Sequence, residues 1–208
     1  MKDTRLITMI EGAIIAGVCV ALSFIPLNTA NAAFDLSLGL IPLGVYALRR
    51  GLLPGMAAGF VWGLLLIVLG KAFILTIPQV VLEYPLAFAF GGLGGVFAGR
   101  LRRFLSEAES SLGERVRDGR AMRAPTGSGW RGAITTVIFA GIVAAAARWF
   151  FHFWAGVIFW GSYAPEGMSP YLYSFIMNGS SAAANAIMVA VILSILVKTA
   201  KTLFVYKQ

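Results

Sequence analysis

Long apolar runs, separated by short polar or charged segments, organise this chain. Six of the runs come close to the length of about 20 apolar residues that crosses a bilayer core of about 30 Å. They cover residues 6–26, 34–48, 52–70, 77–99, 132–160 and 170–197. Ser169 and Pro170 provide a helix N-cap and a first helical residue for the last run. The pattern predicts an all-α integral membrane protein, with six transmembrane helices in a single domain over residues 1–208.

The composition supports this class. Of the 208 residues, 59% are hydrophobic and 12% are charged, whereas soluble domains carry about 25% charged residues. The formal charge of +8 raises the question of a nucleic-acid partner. If both termini are cytoplasmic, 15 of the 17 Lys and Arg residues fall on the cytoplasmic side, and only Lys71 and Arg148 do not. The positive-inside rule therefore predicts cytoplasmic termini, and topology rather than nucleic-acid binding explains the charge.

Residues 104–131 form the one long polar stretch of the sequence. Its mixed charges, Ser, Gly and Pro predict a flexible cytoplasmic loop with room for a short surface helix. We favour a solvated linker over a docking segment for this stretch.

The sequence lacks the motifs of common enzymes. With one Cys, Cys19, and one His, His152, we expect no internal disulfide and no metal site. The run Gly70-Lys71-Ala72 lacks the Ser or Thr and the glycine spacing of a P-loop. We therefore predict a protein that is not an enzyme, without catalytic residues or cofactor. Uphill transport by such a chain would draw on an ion gradient or on another polypeptide.

Glu83 lies inside an apolar run, where a carboxylate costs about 2.5–3.5 kcal/mol. A helix rise of about 1.5 Å per residue puts Glu83 about 9 Å, and Asn178 about 12 Å, below the outer ends of their runs. By the same measure His152 lies about 30 Å from the inner end of its run, and Tyr173 lies about one turn into its helix. Four polar side chains from three helices are thus expected in the outer third of the membrane.

The fifth run adds a stripe of functional groups, because Arg148, His152, Gly156 and Trp160 recur every four residues along one helix face. The stripe offers a cation, an imidazole, a gap and an indole. A helix over the whole run would be about 44 Å long, so its upper part must tilt, project or bend toward an outer cavity. Together with Glu83, the stripe suits a flat heteroaromatic ligand with amine donors and a positive charge.

Structural roles account for the same residues one at a time. His152 would be an interhelical hydrogen-bond partner, and Glu83 would form an internal salt bridge with Arg148. An interfacial aromatic belt would explain Trp149, Trp154 and Trp160. Small-residue helix packing would explain Asn178-Gly179-Ser180-Ser181. The common depth of the polar residues favours a ligand site over these separate roles.

Several motifs resemble a known family. They are Ser23-Phe24-Ile25-Pro26, Leu48-Arg49-Arg50-Gly51-Leu52, Trp62-Gly63, Leu82-Glu83-Tyr84, the run from Phe150-Phe151-His152 to Trp160, Tyr163-Ala164, Tyr173-Ser174 and Asn178-Gly179. With these motifs the chain resembles the thiamine-specific S components of energy-coupling factor (ECF) vitamin transporters. The resemblance covers nearly the whole chain except the polar stretch around 104–130.

The resemblance implies a multi-pass protein of the prokaryotic cell membrane that binds thiamine from outside. It also implies docking on a transmembrane coupling protein that two ATPases drive. The family's ligand-binding positions match Glu83, Tyr84, His152, Gly156, Trp160, Tyr173 and Asn178. Arg148 falls where the family has a Lys, and a small-x-x-x-small docking motif on the first helix matches Ala13 and Gly17.

Three outer positions depart from the family. The segment 27–34 lacks the Trp expected as a lid over the ligand, and Phe34 is the substitute, displaced by one position. Phe73 replaces a Tyr and Lys71 replaces a His. Two alternatives therefore stay open beside thiamine binding. They are an S component for a thiamine precursor or related heterocycle, and a membrane assembly protein with no part in transport.

Overall fold

The protein is all-helical in the computed structural model, which describes residues 2–27, 34–117 and 128–206. No β-strand occurs in these ranges. The helices are α1 (Lys2–Leu22), α2 (Leu40–Arg50), α3 (Leu52–Val68), α4 (Ile77–Val81), α5 (Ala87–Gly91), α6 (Ala98–Arg117), α7 (Ser128–Phe159) and α8 (Pro170–Thr199). The predicted all-α class is confirmed.

Four helical segments of the described chain are long and apolar enough to cross a membrane. They are Thr4–Leu22, Ile77–Leu112, Ser128–Phe159 and Pro170–Thr199, and Leu52–Val68 is a shorter apolar helix. The second predicted run is shorter in the structure, because α2 has 11 residues and begins at Leu40 instead of 34, and the fourth, predicted over 77–99, continues to Leu112. The preceding residues 34–39 contain no helix and extend along the cavity described below.

The segment Ile77–Leu112 changes its helical pitch twice. A π-helical turn covers Leu82–Leu86 and a 3₁₀ segment covers Gly92–Phe97, between α4, α5 and α6. Pro85 lies inside the π turn, and since proline has no N–H to donate, a regular α-helix is disfavoured there. On the neighbouring helix α3, a Cβ at Gly63 would lie 2.5 Å from the Tyr84 carbonyl oxygen. Glycine thus lets α3 pack directly on the turn that carries Glu83.

The prediction of a flexible loop over 104–131 is corrected at both ends. α6 continues to Arg117 and α7 already begins at Ser128, so only residues 118–127 lie outside the described residues. Leu105 and Ala108 of α6 are buried, and a Cβ at Gly129 would lie 2.6 Å from the Ala108 nitrogen. Leu105 and Ala108 belong to an apolar face of α6 that packs on the start of α7, and the many polar residues around them made this face hard to recognise in the sequence.

One hydrophobic core joins the helices. Its most deeply buried large side chains include one each from α2, α3, α6, α7 and α8, namely Leu43, Trp62, Leu101, Val137 and Leu193. α7 is a single helix of 32 residues and packs along α8. Near the opposite end of the fold from Glu83, Glu11 accepts two hydrogen bonds from Arg50, at 2.6 and 2.7 Å. Glu11 is therefore held in an ion pair.

Candidate functional site

A cavity of about 910 Å³ lies between the helices at the end that carries Glu83. Small-molecule sites commonly enclose about 300–1,000 Å³. The described residues that line it include eight of the predicted site residues, namely Glu83, Tyr84, Arg148, His152, Gly156, Trp160, Tyr173 and Asn178. The structure thus brings these residues together around one space. Their contacts with a ligand stay predictions.

Phe34, the proposed substitute for a lid tryptophan, is partly buried but is not among the described residues that line the cavity. The other departures from the resembled family, Lys71 and Phe73, do line it. The Lys71 ammonium lies 4.4 Å from the centre of the Phe24 ring. A cation and one phenyl ring therefore contribute to the cavity wall at two positions where the family has other side chains.

Glu83 is held by neutral hydrogen-bond donors. Its Oε1 accepts a hydrogen bond of 2.7 Å from the indole Nε1 of Trp160, and its Oε2 accepts one from the Nε2 of Gln79. None of the ion pairs of the described chain involves Glu83. The carboxylate is therefore fixed in orientation while its charge has no cationic partner in the described residues.

The salt bridge between Glu83 and Arg148, which was the alternative to a ligand role for Glu83, is absent from the described structure. Arg148 instead approaches Asp35, with 3.4 Å between Nη2 and Oδ2. Its guanidinium also lies 4.5 Å from the centre of the Phe88 ring. Arg148 is turned toward the non-helical segment 35–37. The position of this segment cannot be estimated from helix rise, so nothing in the sequence indicated that Asp35 is the partner of Arg148.

Three buried polar atoms of α7 have no hydrogen-bond partner among the described residues. They are Arg148 Nε, Trp149 Nε1 and His152 Nε2, and all three residues line the cavity. An unsatisfied buried polar group costs about 1–3 kcal/mol. The interhelical hydrogen bond considered for His152 is not seen at Nε2, and the ring meets Phe88 edge-on, with centroids 6.4 Å apart. The cavity wall therefore carries free hydrogen-bonding capacity.

Gly156 brings α8 close instead of leaving the predicted gap. A Cβ at this position would overlap Ser174 Oγ and lie 2.7 Å from Asn178 Nδ2. Asn178 Nδ2 donates to Ser174 Oγ at 3.1 Å, and Ser174 Oγ donates to the Phe153 carbonyl at 2.7 Å. The absent side chain thus fixes Asn178 against α7, where it lines the cavity.

Aromatic contacts join the π turn to the loop before α4. The Phe73 and Trp160 ring centroids are 5.2 Å apart, and those of Trp160 and Tyr163 are 5.5 Å apart. Tyr84 stacks on Phe88 with centroids 6.0 Å apart, and its hydroxyl accepts a 2.9 Å hydrogen bond from the Phe73 backbone N–H. Tyr84 therefore supports the loop as well as lining the cavity.

Sequence reasoning missed two buried amides, Gln79 and Asn185, which are 0% and 2% exposed. Asn185 accepts a 2.8 Å hydrogen bond from the Ser37 N–H and donates one of 2.7 Å to the Asp35 carbonyl. Asn185 lies about two helical turns beyond Asn178, so the two amides share a face of α8. The spacing of seven residues between Asn178 and Asn185 was a signal in the sequence that could have identified Asn185. Asn185 lines the same cavity.

The proposed docking residues Ala13 and Gly17 lie on an open side of α1. Both are exposed, and a Cβ added at Gly17 would meet no atom within 4 Å. Apolar neighbours such as Met9 and Ile14 are exposed on the same helix, at 72% and 60%. This apolar surface is available to lipid or to another helix.

Comparisons with known proteins agree with the motifs. The thiamine transporter protein family matches residues 9–205. The thiamine transporter ThiT of Lacticaseibacillus paracasei is 40% identical over 211 aligned positions, covering 100% of this chain and 94% of that protein. ThiT of Bacillus subtilis is 27% identical, covering 97% of this chain and 96% of that protein.

A solved structure of ThiT from Listeria monocytogenes superposes on this chain with a TM-score of 0.83 and 38% identity. The match covers 98% of this chain and 100% of that one. The family consists of transporters rather than enzymes, in agreement with the absence of catalytic motifs from the sequence. On the family match and the full-length similarity, this chain belongs to the thiamine transporter protein family.

Proposed function

We propose that this chain is the thiamine-binding S component of an ECF importer, with thiamine bound in the cavity beside Glu83. The observation that carries the proposal is the Glu83 carboxylate itself. It lines the cavity, it is oriented by two neutral donors, and no cation among the described residues neutralises it. Thiamine carries a thiazolium cation and an aminopyrimidine ring, which are the partners such a carboxylate lacks.

The cavity wall suits both rings of this ligand. Glu83 is proposed to bond the aminopyrimidine or to offset the thiazolium charge, while Trp160 and His152 pack against the rings. Stacking and cation–π contacts contribute about 0.5–2 kcal/mol each. Tyr173 and Asn178 are proposed to orient the polar edges of the thiamine rings. The unpartnered His152 Nε2 supports this assignment, because a ligand heteroatom would satisfy it.

Tyr84, Gly156 and Arg148 have supporting roles in this proposal. Tyr84 lines the cavity while it holds the loop, Gly156 admits Asn178 to the wall, and Arg148 fixes segment 35–37 through Asp35. Phe34 is proposed as a weaker contact near the ligand, because the described segment along the cavity begins at this residue.

The proposed topology has six transmembrane helices and cytoplasmic termini, in a multi-pass protein of the cell membrane. The spans are α1, α2, α3, the segment Ile77–Leu112, α7 and α8. With 11 residues, α2 covers about 16 Å, so its span includes the non-helical residues before it. The basic residues at the proposed inner side support this orientation.

Transport in this proposal depends on other subunits. The sequence has no P-loop, so a transmembrane coupling protein and two ATPases would supply the energy. The exposed α1 surface with Ala13 and Gly17 is the proposed docking face, because small residues four apart allow close helix approach.

Thiamine titration of the purified chain in detergent, followed by tryptophan quenching, tests the proposal. Glu83→Gln should weaken binding by at least about tenfold, since removal of one partner of a buried charge pair costs about 2–5 kcal/mol. Glu11→Gln is the matched control, because Glu11 is also an acid in an apolar helix but lies outside the cavity. No thiamine binding by the wild type, or equal affinities for wild type and Glu83→Gln, would refute the proposal.

A related heterocycle is the second candidate ligand, favoured by the presence of Lys71 and Phe73 in the cavity wall. Competition with the separate pyrimidine and thiazolium halves of thiamine distinguishes the two. If one half competes as strongly as thiamine itself, the chain is specific for a precursor. The assembly-protein alternative depended on a salt bridge between Glu83 and Arg148, and the structure pairs Arg148 with Asp35 instead.

A further inference from the structure

Gln79 is a fully buried amide whose hydrogen-bonding groups are all in use. It is 0% exposed. Its Oε1 accepts a 3.0 Å hydrogen bond from the Leu75 N–H, and its Nε2 donates to the Phe73 carbonyl at 3.1 Å and to Glu83 Oε2. Its backbone N–H also donates to Thr76 Oγ1 at 3.3 Å. One side chain therefore binds both the loop before α4 and the carboxylate in the cavity.

These contacts form a closed ring of four residues, which are Glu83, Gln79, Phe73 and Trp160. Gln79 holds one carboxylate oxygen and Trp160 holds the other. Phe73 connects the two donors, because its carbonyl accepts from Gln79 and its ring packs 5.2 Å from the Trp160 ring. A carboxylate with one donor on each oxygen has little freedom to rotate, so Gln79 and Trp160 together set the direction in which its remaining lone pairs point.

We infer that Gln79 is a positioning residue for the ligand, acting through Glu83, and that it couples the conformation of loop 70–76 to the orientation of this carboxylate. The inference rests on the proposed function, since it assigns how that site is held in shape. Gln79 is not among the described residues that line the cavity. The inference therefore adds a residue outside the cavity to those that determine thiamine affinity.

Loop 70–76 contributes two residues to the cavity wall, Lys71 and Phe73. A shift of the Glu83 carboxylate toward a ligand would change its hydrogen bond to Gln79, and Gln79 would transmit the change to the Phe73 carbonyl and the Leu75 N–H. The position of the Glu83 carboxylate and the packing of Phe73 on Trp160 are therefore linked through one amide group. A hydrophobic residue at position 79 would fill the same volume without this link.

A double-mutant cycle tests the inference. Gln79→Met keeps the side-chain length and removes the amide, and Glu83→Gln removes the charge that the amide binds. A hydrogen bond to a charged group is worth more than one to a neutral group. We therefore expect Gln79→Met to raise the thiamine Kd about ten- to a hundredfold in the Glu83 background, and at least threefold less in the Glu83→Gln background.

Gln79→Glu gives an independent measurement if Gln79→Met folds poorly. This variant keeps an acceptor for the Leu75 N–H, loses the donor to the Phe73 carbonyl and places a second carboxylate beside Glu83. A role confined to holding the loop predicts that Gln79→Glu changes the thiamine Kd by the same factor in the Glu83 and Glu83→Gln backgrounds. Positioning of Glu83 predicts a larger loss in the Glu83 background, because in the other background the introduced amide can donate a hydrogen bond to the new carboxylate. Thr136→Val is the control for loss of a buried hydrogen bond, since Thr136 is 1% exposed and bonds the Gly132 carbonyl outside the cavity.

The melting temperature of each ligand-free variant separates stability from affinity. Thr136→Val should lower it with less than twofold change in Kd. The inference is overturned if Gln79→Met changes Kd by the same factor in both Glu83 backgrounds, or if it lowers the melting temperature while Kd stays at the wild-type value. Failure of the wild type to bind thiamine refutes the proposed function instead, so the two results are distinguishable.

Discussion

Replacing Gly156 by Ala adds one methyl group where α7 meets Ser174 and Asn178 of α8. The new Cβ would overlap Ser174 Oγ, and it would lie 2.7 Å from Asn178 Nδ2 and 3.0 Å from Ser174 Cβ. To accept it, either α8 moves away from α7 or Ser174 turns and gives up its hydrogen bond to the Phe153 carbonyl. In both cases Asn178 leaves its present place in the cavity wall.

The cost can be estimated from these contacts. Overpacking in a close-packed region costs about 1–3 kcal/mol, and the lost hydrogen bond costs about 1 kcal/mol. Alanine recovers up to about 1 kcal/mol relative to glycine in a helix. We expect Gly156→Ala to lower the free energy of unfolding by about 1–3 kcal/mol, and the melting temperature by about 2–4 °C per kcal/mol. The displaced Asn178 should raise the thiamine Kd about tenfold.

Thermal unfolding in detergent and thiamine titration by tryptophan quenching measure the two effects. Gly99→Ala is the matched control, since a Cβ at Gly99 meets no atom within 4 Å, and the substitution should leave both quantities unchanged or slightly improve stability. Adding Ser174→Gly to Gly156→Ala removes the Ser174 atoms that the new methyl group meets and should restore part of the stability, while Asn178 Nδ2 still lies 2.7 Å from that group and the affinity should stay reduced. If Gly156→Ala melts and binds like the wild type, the close packing of α7 on Asn178 is not what the site depends on.

Four further substitutions or reactions follow from the described contacts. Asn185→Leu should lower the melting temperature and weaken thiamine binding, because it leaves the Ser37 N–H and the Asp35 carbonyl without their partner; unchanged binding would show that segment 35–37 has no part in the site. Asp35→Asn should cost less than about 1 kcal/mol of stability, since its side chain is 45% exposed in the ion pair with Arg148. Cys19 is 0% exposed, so a maleimide should label it only after denaturation. Lys201→Ala removes an exposed ion pair with Glu109 and should leave thiamine affinity unchanged in the same titration.

Some elements of this fold could be predicted because their signals are local. Ser169 was expected to cap the last helix, and its Oγ accepts a 3.2 Å hydrogen bond from the Leu172 N–H. Glu83, His152 and Asn178 were expected at one depth, and they line one cavity. Depth along a helix follows from residue number and rise alone, so it can be estimated before any contact is known.

Other features depend on information that hydropathy does not contain. Helix rise gives height but not the direction in which a side chain points, so it leaves a pair between Arg148 and Glu83 open as an alternative and gives no sign of the pair with Asp35. A buried amide such as Gln79 looks like any polar residue near a helix start until its partners are placed. The polar stretch after residue 104 was taken for a loop, because the few buried positions that hold α6 against α7 are diluted by exposed charges.

The π turn at Leu82–Leu86 has a consequence for insertions and deletions in this gene. Such a turn behaves as one residue too many in an otherwise regular helix. Deleting a single codon there, such as that of Leu86, would leave the hydropathy of the segment almost unchanged and would let the turn tighten to α-helical pitch around Pro85. The helical segments on either side would then keep nearly the same rotation about the axis, whereas deletion of one residue inside the regular helix α7 rotates everything before it by about 100° relative to everything after it. Deletion of Leu86 should therefore reduce thiamine uptake less than deletion of Ala146 in the middle of α7, which rotates His152 and Trp160 relative to the first half of that helix. Uptake assays of the two variants, with membrane insertion checked for each, test this expectation.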